Sequence, residues 1–119
     1  IKNIKKLGVR IIKSISISIK DDLNKIKDYK SADYFLFDYK PKKNDLPGGN
    51  SKSFDWKILK SLKTDKPWFL SGGVNINNIQ QILSDINPYG IDLSSGVEKE
   101  LGIKDNHIIN NFIRKVKNA

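Results

Sequence analysis

Four short apolar runs, each followed by a helix-like pattern, constrain the fold of this chain more than any other feature. The first run, residues 12–18, alternates isoleucine with serine, so its isoleucines share one face of a strand and its serines the other. The other runs cover residues 34–38, 68–70 and 90–93. Strands that alternate with helices are typical of parallel βαβ units. The pattern therefore predicts an α/β fold with a parallel sheet.

Helix-like patterns fill the segments between these runs. Residues 20–29 carry aspartates in the first turn, where acidic side chains suit the helix dipole, and residues 54–62 form a second predicted helix. A third helix is predicted to start near Asn75, with its isoleucines and leucines on one stripe. Asp105 is predicted to cap the last helix, which also has one apolar face.

Two glycine-containing turns follow the last two predicted strands. They lie in residues 69–74 and 91–98, where an apolar run ends in small residues and a helix-like pattern begins. Small residues at a strand end let backbone N–H groups approach a ligand closely, and a helix N-terminus favours an anion. Two such turns in consecutive units are typical of the phosphate site after the last strands of a (β/α)8 barrel. They indicate a phosphorylated small molecule as the ligand.

Size and composition exclude several classes of protein. With 119 residues the chain forms one domain at most, and it contains no apolar run of membrane-spanning length. It has no cysteine, which excludes disulfides, thiolate metal sites and a cysteine nucleophile within this chain. His107 is the only histidine and cannot form a metal cluster alone, so no metal is predicted. The chain contains no methionine, so we interpret it as a segment of a longer product, with a cytoplasmic location as the default.

The formal net charge of +9 is compatible with nucleic-acid binding or with a lysine-rich solvated surface. Arg10 and Arg114 are the only arginines, and the lysines are spread along the whole chain. Surfaces that grip phosphates usually concentrate arginine in one patch. We therefore favour the solvated surface and predict neither a nucleic-acid nor a membrane partner.

Five motifs, in this order and at these separations, carry a specific resemblance. They are residues 37–38 (Phe-Asp), 48–56 (Gly-Gly-Asn-Ser-Lys-Ser-Phe-Asp-Trp), 70–75 (Leu-Ser-Gly-Gly-Val-Asn), 92–98 (Asp-Leu-Ser-Ser-Gly-Val-Glu) and 102–105 (Gly-Ile-Lys-Asp). Together they resemble the phosphoribosylanthranilate isomerase family of tryptophan biosynthesis. The resemblance spans essentially the whole chain, but it covers only the C-terminal half, units five to eight, of that family's parallel (β/α)8 TIM barrel.

The resemblance implies an Amadori rearrangement of N-(5-phosphoribosyl)anthranilate to 1-(2-carboxyphenylamino)-1-deoxyribulose 5-phosphate. A general acid protonates the ribose ring oxygen and opens the ring, and a general base then removes the C2 proton. The substrate's own nitrogen is the electron sink, so no cofactor is implied.

Asp38 matches the family's general acid, the aspartate that ends the sixth barrel strand. A carboxyl group at a barrel mouth, partly withdrawn from water by the apolar residues before it, suits proton donation. From the residues alone, capping of a loop is the favoured role of Asp38, and the catalytic role is the alternative. Tyr39 departs from the small polar residue expected beside this aspartate and would crowd the pocket.

The remaining site residues carried over from the family are predicted to bind substrate. Backbone N–H groups at the glycine turns would hold the ribose phosphate, and the first glycine pair of the loop at 48–53 matches the family's mobile loop. Asn50 and Ser51 depart from the family pattern there, which puts tight closure of that loop in doubt. Asp92 matches an aspartate near the anthranilate end of the substrate, although it would serve equally as a structural hydrogen-bond acceptor. The predicted substrate-binding residues are Gly48, Gly49, Gly72, Gly73, Asp92, Ser94, Ser95 and Gly96.

The family's general base is a cysteine at the end of the first barrel strand, and this chain has no cysteine. We therefore expect the chain alone to bind phosphate at most, without appreciable turnover. Alternatives are a non-catalytic sugar-phosphate-binding remnant of the enzyme and a different phosphate-binding barrel enzyme. Besides the phosphorylated sugar–anthranilate substrate, the predicted partner is the missing N-terminal half or a second copy of the chain, because an open four-stranded sheet has two edges.

Overall fold

The computed structural model describes residues 2–40, 55–93, 98–100 and 102–118. Three α-helices are present in these ranges: α1 (Lys2–Lys5), α2 (Ile79–Asp85) and α3 (Asn106–Lys117). Two 3₁₀ helices cover Lys20–Asp28 and Trp56–Ser61. The strands are β1 (Ile12–Ile17), β2 (Tyr34–Tyr39), β3 (Trp68–Ser71), β4 (Gly90–Asp92), β5 (Glu98–Glu100) and β6 (Ile103–Lys104).

The first four strands form one parallel sheet in the order β1-β2-β3-β4. Each strand pairs with the next along the chain, and a helical segment lies between them, so the prediction of parallel βα units is confirmed. The described part of the sheet has β1 and β4 at its two edges. The β5–β6 pair forms a separate antiparallel hairpin before α3, which the sequence patterns did not predict.

The hydrophobic core lies between one face of this sheet and the helices. Ile15 and Ile17 are buried and Ser14 and Ser16 lie exposed on the opposite face, so the predicted separation of isoleucines and serines onto two faces is confirmed. The core residues are Ile15, Ile17, Leu23, Ala32, Phe35, Phe37, Leu59, Leu70, Val74, Ile79, Ile82, Ile86 and Phe112. The serine-bearing face of the sheet is therefore left for other contacts.

The helices differ in detail from the sequence predictions. The segments predicted as helices at 20–29 and 54–62 are 3₁₀ helices, which make tighter turns and run in short pieces. The third helix begins at Ile79, later than predicted, because the asparagines before it form a turn of their own. Asp105 caps α3 as predicted: its Oδ1 accepts hydrogen bonds from the N–H groups of His107 and Ile108.

Lys66 fastens the amino edge of the sheet to the first 3₁₀ helix. Its Nζ donates to the carbonyl oxygens of Lys30 and Ala32 and lies 3.5 Å from that of Tyr29. The same ammonium group lies 5.5 Å from the centre of the Phe35 ring. These carbonyl groups belong to the segment that directly follows the 3₁₀ helix Lys20–Asp28. Lys66 therefore has a structural role on the side of the sheet away from the polar strand ends. Within the described residues, none of the helices combines the length and hydropathy that crossing a membrane requires.

Candidate functional site

A row of polar side chains crosses the sheet where its strands end. Ser16 pairs with Asp38, Asp38 with Ser71, and Ser71 with Asp92 in the parallel register. Because paired residues on neighbouring strands point to the same face, these four side chains lie side by side on the face opposite the core. The carboxyl edge of a parallel sheet is where ligands bind in α/β folds. This row is the candidate functional site.

Asp38 lies in the middle of this row. Its side chain is 25% exposed, and its Oδ2 lies 3.1 Å from Nζ of Lys40. On the next strand, the Ser71 hydroxyl donates a hydrogen bond of 3.2 Å to Oδ2 of Asp92. Two carboxyl groups, one of them paired with an ammonium group and the other with a hydroxyl, are thus available at one edge. Such groups can transfer a proton to or from a bound molecule.

Gly72 and Gly73 follow β3 and place the backbone directly against Asp38. Both have positive φ values, 84° and 74°, a conformation that residues with side chains rarely adopt. A Cβ atom at Gly72 would lie 2.6 Å from the Tyr39 carbonyl oxygen and 2.9 Å from Oδ1 of Asp38. Only glycine fits at position 72, where the backbone closely approaches the candidate acid. The phosphate-binding role predicted for this turn stays a prediction.

Asparagine side chains connect the glycine turn to the start of α2. Asn75 Oδ1 accepts from the N–H of Asn77 at 2.8 Å, and Asn78 Oδ1 accepts from the N–H of Asn75 at 2.8 Å. The Asn78 amide also donates to the Gly73 carbonyl oxygen at 2.7 Å. Side chains that bond nearby backbone groups hold turns in one conformation. Asn78 thus fixes the glycine turn, a role that the sequence patterns did not identify.

Comparison with known proteins identifies the family. The model of the family described as N-(5'phosphoribosyl)anthranilate (PRA) isomerase matches residues 1–115 of this chain. The chain belongs to the PRA isomerase family. The resemblance drawn from the five motifs is therefore confirmed.

Individual members of the PRA isomerase family agree with this assignment. The N-(5'-phosphoribosyl)anthranilate isomerase of Mesorhizobium japonicum is 46% identical over 114 residues, which cover 94% of this chain and 52% of the relative. The crystal structure of the Thermotoga maritima isomerase superposes with a TM-score of 0.75 at 28% identity, over 99% of this chain and 57% of that one. A second isomerase structure, a complex with reduced 1-(o-carboxyphenylamino)-1-deoxyribulose 5-phosphate, has a TM-score of 0.73 at 25% identity, over 99% of this chain and 53% of that one. The chain spans about half the length of the curated relatives it matches.

The structure brings together Asp38, Gly72, Gly73 and Asp92 among the predicted site residues. Asp92 is exposed and accepts the Ser71 hydrogen bond, so it has a structural partner, and its two predicted roles both stay open. The predicted residues Gly48, Gly49, Ser94, Ser95 and Gly96 lie outside the described residues. Within the described ranges, no three His, Cys, Asp or Glu side chains are grouped closely enough to hold a metal ion.

Two aromatic residues near the site belong to the core side of the sheet. Tyr39 packs against the hydrophobic core, so the expectation that it would crowd the pocket is wrong. The physical reason is the strand period of two, which turns Tyr39 to the face opposite Asp38. Trp56 also packs against the core, and its indole N–H donates to Asp85 at 2.8 Å. That hydrogen bond is the main reason that the pKa of Asp85 is lowered.

Asp22 closes the turn that follows β1 at the same edge of the sheet. Its Oδ2 accepts from the N–H groups of Ser18 at 2.7 Å and Ile19 at 3.1 Å, and its Oδ1 lies 3.3 Å from Nζ of Lys25. The bond from Ser18 is the main cause that lowers the pKa of Asp22 below its ordinary value of 3.8, while partial burial opposes it. The carboxylate form therefore stabilises this turn.

We expect this stabilisation to depend on pH in a defined direction. A lowered pKa means that the contribution of Asp22 is present above the unfolded-state pKa of 3.8 and is lost as the pH falls through the lower folded-state value. Asp22→Asn should therefore unfold at lower urea concentration near neutral pH, and its difference from the unmodified chain should shrink below pH 3.8. Asp21→Asn, at the exposed neighbouring aspartate, is the control. A difference that stays constant across the acid range would contradict the prediction.

Proposed function

We propose that this chain is the C-terminal half, units five to eight, of a PRA isomerase barrel. In the complete enzyme it supplies the general acid and the phosphate site for the Amadori rearrangement of N-(5-phosphoribosyl)anthranilate in tryptophan biosynthesis. Family membership and the parallel βα order support this assignment. The cytoplasmic location expected from the sequence remains a prediction.

The contact between Asp38 and Gly72 is the observation that carries this proposal. Oδ1 of Asp38 lies 2.9 Å from the position that a Cβ atom on Gly72 would take, so a molecule whose anionic group binds at the glycine turn has its next atoms near that oxygen. A related isomerase structure holds a reduced sugar-phosphate compound of this type. A phosphate at one end and a proton donor a few atoms away is the arrangement that opening of a phosphorylated ribose ring requires.

Each predicted site residue then has a role in binding or chemistry. Asp38 protonates the ring oxygen as the bond between that oxygen and C1 breaks. The nitrogen lone pair of the substrate forms a double bond to C1 in its place. Backbone N–H groups of Gly72 and Gly73, with those of Ser94, Ser95 and Gly96, bind the phosphate. Gly48 and Gly49 belong to a loop over the substrate, and Asp92 lies toward the anthranilate ring.

The base that removes the C2 proton comes from outside this chain. The family base is a cysteine, and the chain contains none. A carboxyl group that delivers a proton to the ring oxygen is poorly placed to remove one from C2 as well. We therefore expect the 119-residue chain alone to show no turnover above background.

A chimera tests the proposal directly. In it, this chain replaces the 114-residue segment that it matches in the Mesorhizobium isomerase, so that the rest of that enzyme supplies the other half of the barrel. We expect the chimera to convert the substrate in a steady-state assay and to restore growth without tryptophan to a strain that lacks the isomerase. The Mesorhizobium enzyme without that segment is the negative control.

The possible outcomes separate the two candidate functions. A folded chimera that binds a sugar-phosphate product analogue but does not turn over would support the non-catalytic remnant instead. A chimera whose circular dichroism matches that of the parent enzyme, but which neither binds nor turns over, would contradict both. Turnover by the isolated chain would contradict the assignment of the base to the other half.

A further inference from the structure

Lys40 is the first residue after β2, and its backbone is held by the last residue of β1 and by the residue that follows it. Its N–H donates to the Ile17 carbonyl oxygen at 2.8 Å, and its carbonyl oxygen accepts from the Ser18 hydroxyl at 2.7 Å. The chain at this point is therefore fixed relative to the neighbouring strand, although the side chain itself is 57% exposed. This anchoring distinguishes Lys40 from a lysine on a free surface.

The two oxygens of the Asp38 carboxyl group have different neighbours. Oδ2 lies 3.1 Å from Nζ of Lys40, whereas Oδ1 lies against the backbone of Gly72, 2.9 Å from the position of an added Cβ. The carboxyl group thus lies between an ammonium group on the β1 side and a glycine turn on the β3 side. A partial rotation of the carboxyl plane about the last side-chain bond would move an oxygen away from Nζ of Lys40 and break this contact.

We propose that Lys40 is a positioning residue for Asp38. It holds one carboxyl oxygen and so fixes the carboxyl plane, which leaves the other oxygen facing the glycine turn and the substrate. This inference rests on the proposed function, because it assigns Lys40 to the orientation of the proposed general acid. Lys40 contacts Asp38 and is not itself assigned to the reacting atoms.

The small contribution that this ion pair makes to the free energy of unfolding argues that Lys40 orients Asp38 and does not stabilise the fold. A half-exposed pair of this kind contributes little to the free energy of unfolding, since water and salt screen it. A misplacement of about 1 Å in a catalytic group, by contrast, is able to lower a rate about 100-fold. Loss of the ammonium group should therefore affect catalysis much more than stability.

The experiment compares three variants of the active chimera. We expect Lys40→Met to lower kcat by about 10- to 100-fold with a much smaller change in KM, because the bound substrate then meets a misoriented acid. Lys40→Arg, which keeps a cation at this place, should recover most of the loss. Lys25→Met is the matched control: its ion pair with Asp22 has a similar distance, 3.3 Å, and a similar lysine exposure, 54%. It should keep the kcat of the chimera.

Each outcome decides the inference. An unchanged kcat in Lys40→Met would overturn it, as would a loss that Lys25→Met shares or that Lys40→Arg does not reduce. A rise in KM alone would also overturn it, because that result assigns Lys40 to substrate binding. Urea unfolding of every variant distinguishes lost orientation from lost structure, and Lys40→Gln repeats the test if the methionine variant is poorly folded. If the chimera with Lys40 intact is inactive, the proposed function fails and the inference fails with it. This result is distinguishable from the outcomes above, because each of those requires an active chimera.

Discussion

Asp38→Asn in the active chimera is expected to lower kcat by about 100- to 10,000-fold, the range that removal of a general acid produces. Asparagine has nearly the same shape as aspartate and keeps an oxygen that can accept a hydrogen bond from Lys40. It has no acidic proton to give to the ring oxygen of a ribose. KM should change much less than kcat, because the proposed phosphate contacts at the glycine turn are left in place.

An exposed aspartate on the opposite side of the sheet provides the control for this substitution. Asp65 precedes β3, at the amino edge, and its change to asparagine removes the same charge without approaching the polar row. Steady-state kinetics with the substrate should show unaltered kcat for Asp65→Asn. If Asp38→Asn keeps its kcat within about threefold of the unmodified chimera, proton donation belongs to another group.

The polar row at the strand ends shows how much of such a site can be predicted from the sequence alone. Local sequence patterns place two of its members. Ser16 belongs to a run in which isoleucine alternates with serine, and Asp38 ends an apolar run. The periodicity is local, because it follows from the alternate direction of side chains along one strand. It correctly predicted the four strands of the parallel sheet and, for β1, the face that the core covers.

Local patterns do not determine the register of the sheet, that is, which residues pair on neighbouring strands. That Asp38 pairs with Ser71, and Ser71 with Asp92, depends on hydrogen bonds between strands that are distant in sequence. The role of Lys40 depends in the same way on bonds from its backbone to Ile17 and Ser18. Asp38 was assigned as the acid because it matches a family motif, whereas Lys40 carries no pattern of its own. The 3₁₀ geometry of residues 20–28 and 56–61 was likewise not predicted by the local patterns.

Gly72→Ala is expected to be the most destabilising single substitution at the site. Alanine at a φ of 84° is strained, which costs about 1–3 kcal/mol. The added Cβ would also lie 2.6 Å from the Tyr39 carbonyl oxygen, and relief of such a contact by backbone movement costs about 1–3 kcal/mol more. The second close neighbour of that Cβ is Oδ1 of Asp38, so the substitution should lower kcat as well as the free energy of unfolding.

Gly102→Ala separates the two causes, because Gly102 has nearly the same φ, 81°, and its added Cβ would meet no atom of the described residues within 4 Å. Urea unfolding should therefore show a loss of about 1–3 kcal/mol in Gly102→Ala, from backbone strain alone, and a clearly larger loss in Gly72→Ala. Only Gly72→Ala should also lower kcat in the chimera. Equal losses of stability in the two variants would mean that the β2 end moves aside at little cost. In that case the position of Asp38 is not fixed by the glycine turn, and the orientation argued for its Oδ1 would have to come from Lys40 alone.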